Sequence, residues 1–454
     1  EWNFLTPLTT IHMTRLHLFL LLICAPFLAA QQLDLDSAIQ LAKTNNRTLQ
    51  NSSKDIQIAK EQRWEAIAIG LPQVSLSAGY LNAIKQATTV APAESFGGQP
   101  GTFSELIFGT TQSANAGLRL EQLIFDGSYL VGLQASEVFL RISEQAYTKT
   151  EQVITQATVD AYVNTLLAQA QVAVLEQNLE VAQQNLNEIK AVFESGLTEE
   201  ENVQQLQLIV SSLNSSLNYT KQMAVVAKNV LRHVLGMELD TPLTLSSTLE
   251  GLALQHQGEN SDMLTLSNNI DYQMAQNDIR SKELLLKLER FKSLPKISAF
   301  LSGGYDGFNQ EFTFTQPEQN WFGRANFGVN LNIPVFSSFQ SQAKKQQAKL
   351  ALEQSKNEAA DVAQELLLEE SRLRSEVQFN LENLQTTATN LALAASIEKK
   401  NQIKFKEGLV SGFTLRQAQT QLYGAQNDYL TAMQQLVVSK TSLSLLLNPV
   451  TTEK

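Results

Sequence analysis

Polar and apolar positions alternate strictly in four stretches of the chain. Over 114–121, Ala114, Ala116, Leu118 and Leu120 point one way while Asn115, Gly117, Arg119 and Glu121 point the other. Over 324–333, Ala325, Phe327, Val329, Leu331 and Ile333 oppose Arg324, Asn326, Gly328, Asn330 and Asn332. Val74, Leu76, Ala78 and Tyr80 oppose Gln73, Ser75, Ser77 and Gly79. Ile297, Ala299 and Leu301 oppose Lys296, Ser298 and Ser302, with Phe300 a departure on the polar face. A period of two predicts β-strands with one apolar face. Such strands suit a half-buried sheet in a soluble domain. Their length of roughly ten residues equally suits a tilted strand crossing a bilayer.

Strand edges separate the two cases. Two hairpins, joined by loops over 82–112 and 306–323, give four strands. In lipid, the open edges of such a sheet would leave unpaired N–H and C=O groups at several kcal/mol each. One chain cannot close a barrel, whereas two, three or four chains supply eight, twelve or sixteen strands, within the range of membrane barrels. Leu118, Leu120, Val329 and Leu331 then face lipid, and the Arg, Glu and Asn side chains line a water-filled lumen.

Elsewhere the period is helical. From Ser128 to about Glu194, and from Gln340 to about Glu407, there is no proline and hardly a glycine, so each helix could reach ~100 Å at ~1.5 Å per residue. Beyond the second of these, Leu415, Leu422, Tyr429, Leu436 and Leu443 share one heptad position, and Ala418, Ala425, Ala432, Ser439 and Leu446 another. The first half has Val203, Val210, Leu217, Ala224 and Leu231 beside Leu206, Leu213, Thr220, Ala227 and Val234. Leu175, Leu179, Leu186, Ile189 and Phe193 form a stripe on the outgoing helix. Large residues facing small ones let antiparallel helices approach closely, as in coiled coils.

The chain also repeats itself. Asn45-Asn46 leads to Leu71-Pro72 as Asn268-Asn269 leads to Leu294-Pro295, with Asp55-Ile56 and Asp278-Ile279 in register between them. Phe193-Glu-Ser-Gly-Leu197 is answered by Phe405-Lys-Glu-Gly-Leu409. A period of roughly two hundred residues marks duplication of a large half, not a short-repeat solenoid. The expected organisation is a first repeat over 31–236, a linker over 237–262, a second repeat over 263–448 and a tail over 449–454. Ahead of them, 13–30 has the form of a signal peptide: Arg15, an apolar run over 16–27, then Leu28-Ala29-Ala30. Residues 1–12 read as upstream translation. Bulky Ile23 before Cys24, the single cysteine, argues against lipidation there.

Composition narrows the function classes. Asp plus Glu number 45 against 34 Lys plus Arg, with no basic block that would track phosphates, so nucleic acid is not an expected partner. No P-loop, GxGxxG, GxSxG or HExxH spacing occurs, and after the leader only His233 and His256 remain. We therefore expect no enzyme activity, no cofactor and no metal site. Glu199, Glu200 and Glu201 open a returning helix, where carboxylates complement the N-terminal dipole.

Taken together, the duplicated half, the Leu-Pro before each strand pair, Phe125-Asp-Gly127 ahead of a long helix, and Phe-x-x-Gly-Leu at both helix turns resemble the TolC-like outer-membrane efflux protein family over 33–449. The resemblance implies an α+β membrane protein. Three chains would share a 12-stranded barrel in the outer membrane, with coiled-coil helices forming a periplasmic tunnel. It also implies a homotrimer that docks through its helix turns to a periplasmic adaptor and so to an inner-membrane pump. The docking and aperture residues would be Gly196, Leu197, Gly408, Leu409, Val410 and Ser411, with Leu197, Leu409 and Val410 exposed. Many relatives ring the aperture with an Asp shortly after the second turn. Thr414 occupies that place here, leaving Glu199, Glu200 and Glu201 as the acidic candidates. Two alternatives stand beside an efflux duct: the outer-membrane component of type I protein secretion, and a periplasmic coiled-coil protein with no pore.

Overall fold

A computed structural model describes residues 32–255 and 263–447. The upstream segment 1–12, the signal peptide 13–30, linker residues 256–262 with His256, and the tail 449–454 lie outside the described residues. In chain order the elements begin β1 (Gln32–Leu33), α1 (Leu35–Asn45), α2 (Arg47–Ala68), β2 (Gln73–Asn82), β3 (Thr88–Pro92), β4 (Phe103–Ile107) and β5 (Gln112–Asp126). Next come α3 (Gly127–Glu194), α4 (Glu200–Val234), β6 (Thr244–Leu245) and α5 (Leu249–Gln255). The second half holds α6 (Ile270–Phe291), β7 (Lys296–Asn309), β8 (Trp321–Asn332), α7 (Gln340–Lys406) and α8 (Gly412–Leu447).

Local chemistry explains several helix starts. The repeated asparagines are N-caps. Asn46 Oδ1 accepts from the Thr48 and Leu49 amides at 2.9 and 3.2 Å and opens α2. Asn269 Oδ1 accepts from Asp271 and Tyr272 at 2.9 and 3.4 Å and opens α6. Asp126 does the same for α3 through the Ser128 amide at 2.8 Å. Each satisfies amides that a helix start leaves without an intrahelical acceptor, worth about 0.5–2 kcal/mol per cap.

The chain divides into two compact units, each drawing on both sequence halves. Among the described residues, one unit takes 32–49, 151–255 and 371–446. Its larger core gathers Tyr162, Leu231, Leu235, Leu436 and Val437, and the buried Tyr162 hydroxyl donates to the Leu33 carbonyl at 2.7 Å. There β1 pairs in parallel with β6, a two-stranded sheet that no alternation in the sequence announced. A second core, nearer the helix turns, joins Ala182, Leu186, Ile189, Val203, Leu206, Ile209, Leu213 and Leu415. The expected heptads supply both cores: Leu415, Leu436, Leu443, Ala418, Ala432 and Ser439 are buried on α8, and Val203, Leu206, Leu213, Leu217 and Leu231 on α4. Phe193 ends the α3 stripe exposed, because the core stops short of the turn.

The other unit comprises Gln50–Thr150 and Met263–Glu370, with Leu447. Its main feature is a four-stranded antiparallel sheet in the order β2-β5-β7-β8. The stretch over 82–112, expected as a plain loop, instead contains a separate hairpin of β3 and β4. The second connection is shorter than expected, since β7 runs on to Asn309 and β8 begins at Trp321.

Candidate functional site

Ladder register shows whether the four apolar faces coincide. Leu76 pairs with Leu118, Leu118 with Gly303, and Gly303 with Ala325. Two residues along, Val74, Leu120, Leu301 and Phe327 are in line. Directly paired residues point to the same side of a sheet, so all four apolar sets form one continuous surface. Leu118, Leu120, Val329 and Leu331 lie on it, all exposed. At the sheet end remote from the helices, Tyr80 packs edge-on against Phe312 and Phe314, and Phe314 lies against Trp321. Aromatic side chains at such a border match the girdle of a membrane barrel.

The opposite face is polar. Arg324 pairs with Asp306 at 2.8 Å and Arg119 with Glu121 at 3.5 Å. The Phe300 departure has a local cause. Its ring lies over Gly328, where an added Cβ would come within 2.6 Å of it, and the Arg119 guanidinium sits 4.3 Å from its centroid. A cation on an aromatic face replaces the water the ring would otherwise meet.

The helix turns of the first unit are built alike. Leu197 N donates to Val192 O at 3.2 Å and Gly196 N to Phe193 O at 2.8 Å; Leu409 N donates to Lys404 O at 2.8 Å and Gly408 N to Phe405 O at 3.0 Å. These are Schellman closures, which need a left-handed residue after the last helical turn. Gly196 and Gly408 supply it at φ +75° and +72°, with no atom within 4 Å of where a Cβ would stand. The glycines are there for conformation, not for space. Leu197 and Leu409 point outward, 81% and 73% exposed. Val410, expected to be exposed with them, is half-buried because the chain turns back there to begin α8. Ser411 opens α8, its hydroxyl accepting from the Thr414 amide at 3.4 Å.

Asn202, which no sequence pattern singled out, ties the two turns together. Its Oδ1 accepts from the Gly412 amide at 2.9 Å, and its Nδ2 donates to Thr198 Oγ1 at 3.1 Å. Glu199 flanks α4 without a side-chain cap bond, and Glu200 and Glu201 fill its first turn, all three exposed.

Above the turns lies a buried polar layer. Gln402 Nε2 donates to Asn185 Oδ1 at 3.1 Å. Gln419 is 1% exposed, and neither of its amide atoms has a hydrogen-bond partner. Burial pushes the Glu398 carboxyl above its usual range, and the nearby Gln419 amide opposes the shift only in part. Burial, reinforced by Glu398, pushes the Tyr423 hydroxyl up to about 12. Among the described residues no cluster of His, Cys, Asp or Glu could hold a metal ion. No described helix is long and apolar enough to cross a membrane.

Comparison with known proteins agrees with this architecture. Residues 38–237 and 263–449 match the family model for outer membrane efflux proteins. Outer membrane protein TolC of Vibrio cholerae serotype O1 is 24% identical over 344 residues, covering 72% of each chain. Among solved structures, CusC superposes with a TM-score of 0.72 at 18% identity, over 92% of both chains. VceC from Vibrio cholerae gives 0.70 at 15%, over 91% of this chain and 96% of its own. The MtrE outer membrane channel of Neisseria gonorrhoeae, in its open state, gives 0.70 at 14%, over 91% and 88%.

Proposed function

Because the chain belongs to the outer membrane efflux protein family, an outer-membrane channel of barrel and coiled-coil helices, we propose that it is a passive duct in a tripartite export system. Three chains of four strands each give a barrel of twelve, and the helices extend into the periplasm. A periplasmic adaptor engages the turns at Gly196-Leu197 and Gly408-Leu409-Val410-Ser411, linking the duct to an inner-membrane pump that supplies the energy. Glu199, Glu200 and Glu201 lend negative charge to the aperture.

The observation that best supports this is the shared register of four apolar strand faces on a sheet whose outer strands, β2 and β8, are free to meet other copies. A sheet that left them unpaired in lipid would leave a row of backbone groups unsatisfied. Type I protein secretion remains the second reading, since the same duct would serve a protein substrate. A pore-free coiled-coil protein has no use for that surface. Mass measurement of detergent-solubilised protein extracted from outer membranes is the test: three chains are expected, and a stable membrane-inserted monomer would overturn the barrel. For docking, cysteines at Leu197 and Leu409 should crosslink to a co-expressed adaptor. A channel that exports its substrate without ever crosslinking there would refute the role of the turns.

A further inference from the structure

The hairpin of β3 and β4 is ordered yet has almost no core. Its ladder pairs Thr88 with Ile107, Val90 with Glu105 and Pro92 with Phe103, so these six residues share one face. Val90, Phe103 and Ile107 on that face are 59%, 72% and 60% exposed, and Phe96 and Phe108 beside it 59% and 66%. Over 83–111 only Ala93 is buried. A two-stranded hairpin with nothing on its apolar face is marginal in water. Its base is nevertheless pinned: Ala83 N donates to Thr111 O at 2.7 Å, Gln86 Nε2 to Gly109 O at 3.2 Å, and Thr111 Oγ1 to Gln310 O at 2.7 Å.

Position narrows what can cover this face. The hairpin leaves the sheet beyond Tyr80, Phe312, Phe314 and Trp321, hence on the water side of the aromatic border, out of reach of acyl chains. It follows β2 directly, and β2 is an outer strand of the sheet, one of the two edges at which the proposed barrel would join the next copy. Twelve strands spaced ~4.8 Å and tilted ~40° enclose a barrel about 24 Å across, which puts the roots of any two hairpins ~20 Å apart. A five-residue strand spans ~17 Å and its linker can add a comparable length, so hairpins of neighbouring copies can meet over the mouth.

We propose that the β3–β4 hairpins of the three copies pack against one another through Val90, Phe103 and Ile107, forming an apolar cap at the outer mouth of the barrel. The inference rests on the trimeric barrel. It narrows the duct at the outer mouth of the barrel.

The test places cysteine at Phe103 and treats purified, detergent-solubilised protein with a short bis-maleimide; the single native cysteine, Cys24, lies in the expected leader. Crosslinked dimers on denaturing gels are expected for Phe103→Cys, and for Val90→Cys should the first variant fold poorly. None are expected for Glu94→Cys, off the face. In planar bilayers, Val90→Ser combined with Phe103→Ser and Ile107→Ser should raise the single-channel current. A trimer by mass that neither crosslinks at Phe103 or Val90 nor changes its current overturns the cap while leaving the barrel intact. A monomer by mass overturns the barrel and the cap together. Labelling of Phe103→Cys by a lipid-soluble maleimide in place of crosslinking would give the face to lipid and overturn the cap.

Discussion

Arginine on the sheet's apolar face should destabilise the barrel in proportion to its depth in the membrane. Trp321 marks one border, and Phe327 lies six residues further along β8. At ~3.4 Å per residue and a ~40° tilt this is about 15 Å along the membrane normal, close to the middle of an apolar band ~25 Å tall. Leu301 and Leu120 pair in line with Phe327, each strand crossed shifting the depth by ~3 Å at this tilt, and Leu118 is two residues from Leu120, so all stay within the band. Leu331 is four residues beyond Phe327, about 10 Å further along the normal and so at the far edge of the band. Leu118→Arg should therefore cost about 2–4 kcal/mol per chain and Leu331→Arg about 0–1 kcal/mol. Asn330→Arg, one residue from Leu331 but on the polar face, should cost little. Urea titration of protein folded into phospholipid vesicles measures all three. Equal losses for Leu118→Arg and Leu331→Arg would refute the depth assignment, and a loss for Asn330→Arg as large as for Leu118→Arg would refute the inside-outside phase.

Other expectations are more local. Gly408→Val with Leu409→Asp should abolish export while leaving trimers in the outer membrane, because the first change removes the left-handed closure and the second the exposed apolar contact; a transport assay beside gel filtration separates the two outcomes. Asn269→Ala should cost about 0.5–2 kcal/mol by removing the α6 cap, read from chemical denaturation. Gln419→Leu should be neutral or stabilising by about 1 kcal/mol, since its buried amide makes no close hydrogen bond and only a weak contact with the Glu398 carboxyl; a clear loss of stability would mean that the amide is satisfied in the assembled protein. Glu398, raised in the folded chain, binds its proton more tightly there than when unfolded. Its contribution is therefore fully present below the ordinary carboxylate range and lost as pH rises through the raised value. Glu398→Gln should remove that slope from a stability profile taken across mildly acidic pH.

How much of this the sequence could reveal depends on how local each cause is. The phase of β2, β5, β7 and β8 was legible because a period of two is a property of the strand itself, whatever it pairs with, and the register then brought the four faces into line. The α4 and α8 heptads were legible for the same reason. The β3–β4 hairpin was not. Its strands are five residues each, one ends in Pro92, and Glu105 interrupts the apolar face, so the alternation is too short to register. Asn46 and Asn269 stand out as repeats, but their capping role needs the amides two and three residues on to be free, which only the helix start makes so. Asn202 was invisible for a different reason: its partner is a backbone amide 210 positions away, and a backbone group leaves no trace in composition or spacing.

The division into units shows why a duplicated sequence need not fold as two halves. Each half contributes one helical hairpin with a single apolar stripe and one strand pair with two edges, so neither half can bury its own faces. In the unit that carries the helix turns the halves meet through amides as well as leucines. Gln171 donates to Asn427 at 2.9 Å, Asn178 to Gln426 at 2.8 Å, and Gln402 to Asn185 at 3.1 Å. Such bonds add little net stability, about 0.5–1.5 kcal/mol each, yet a helix slipped by one turn would leave every one of them unmade beside a core of interchangeable leucines. The apolar stripes hold the hairpins together and the amides fix their register. Register is what a duct requires, because Gly196 and Gly408 can close paired turns, with Asn202 bonded across to Gly412, only when α3, α4, α7 and α8 end at matching heights.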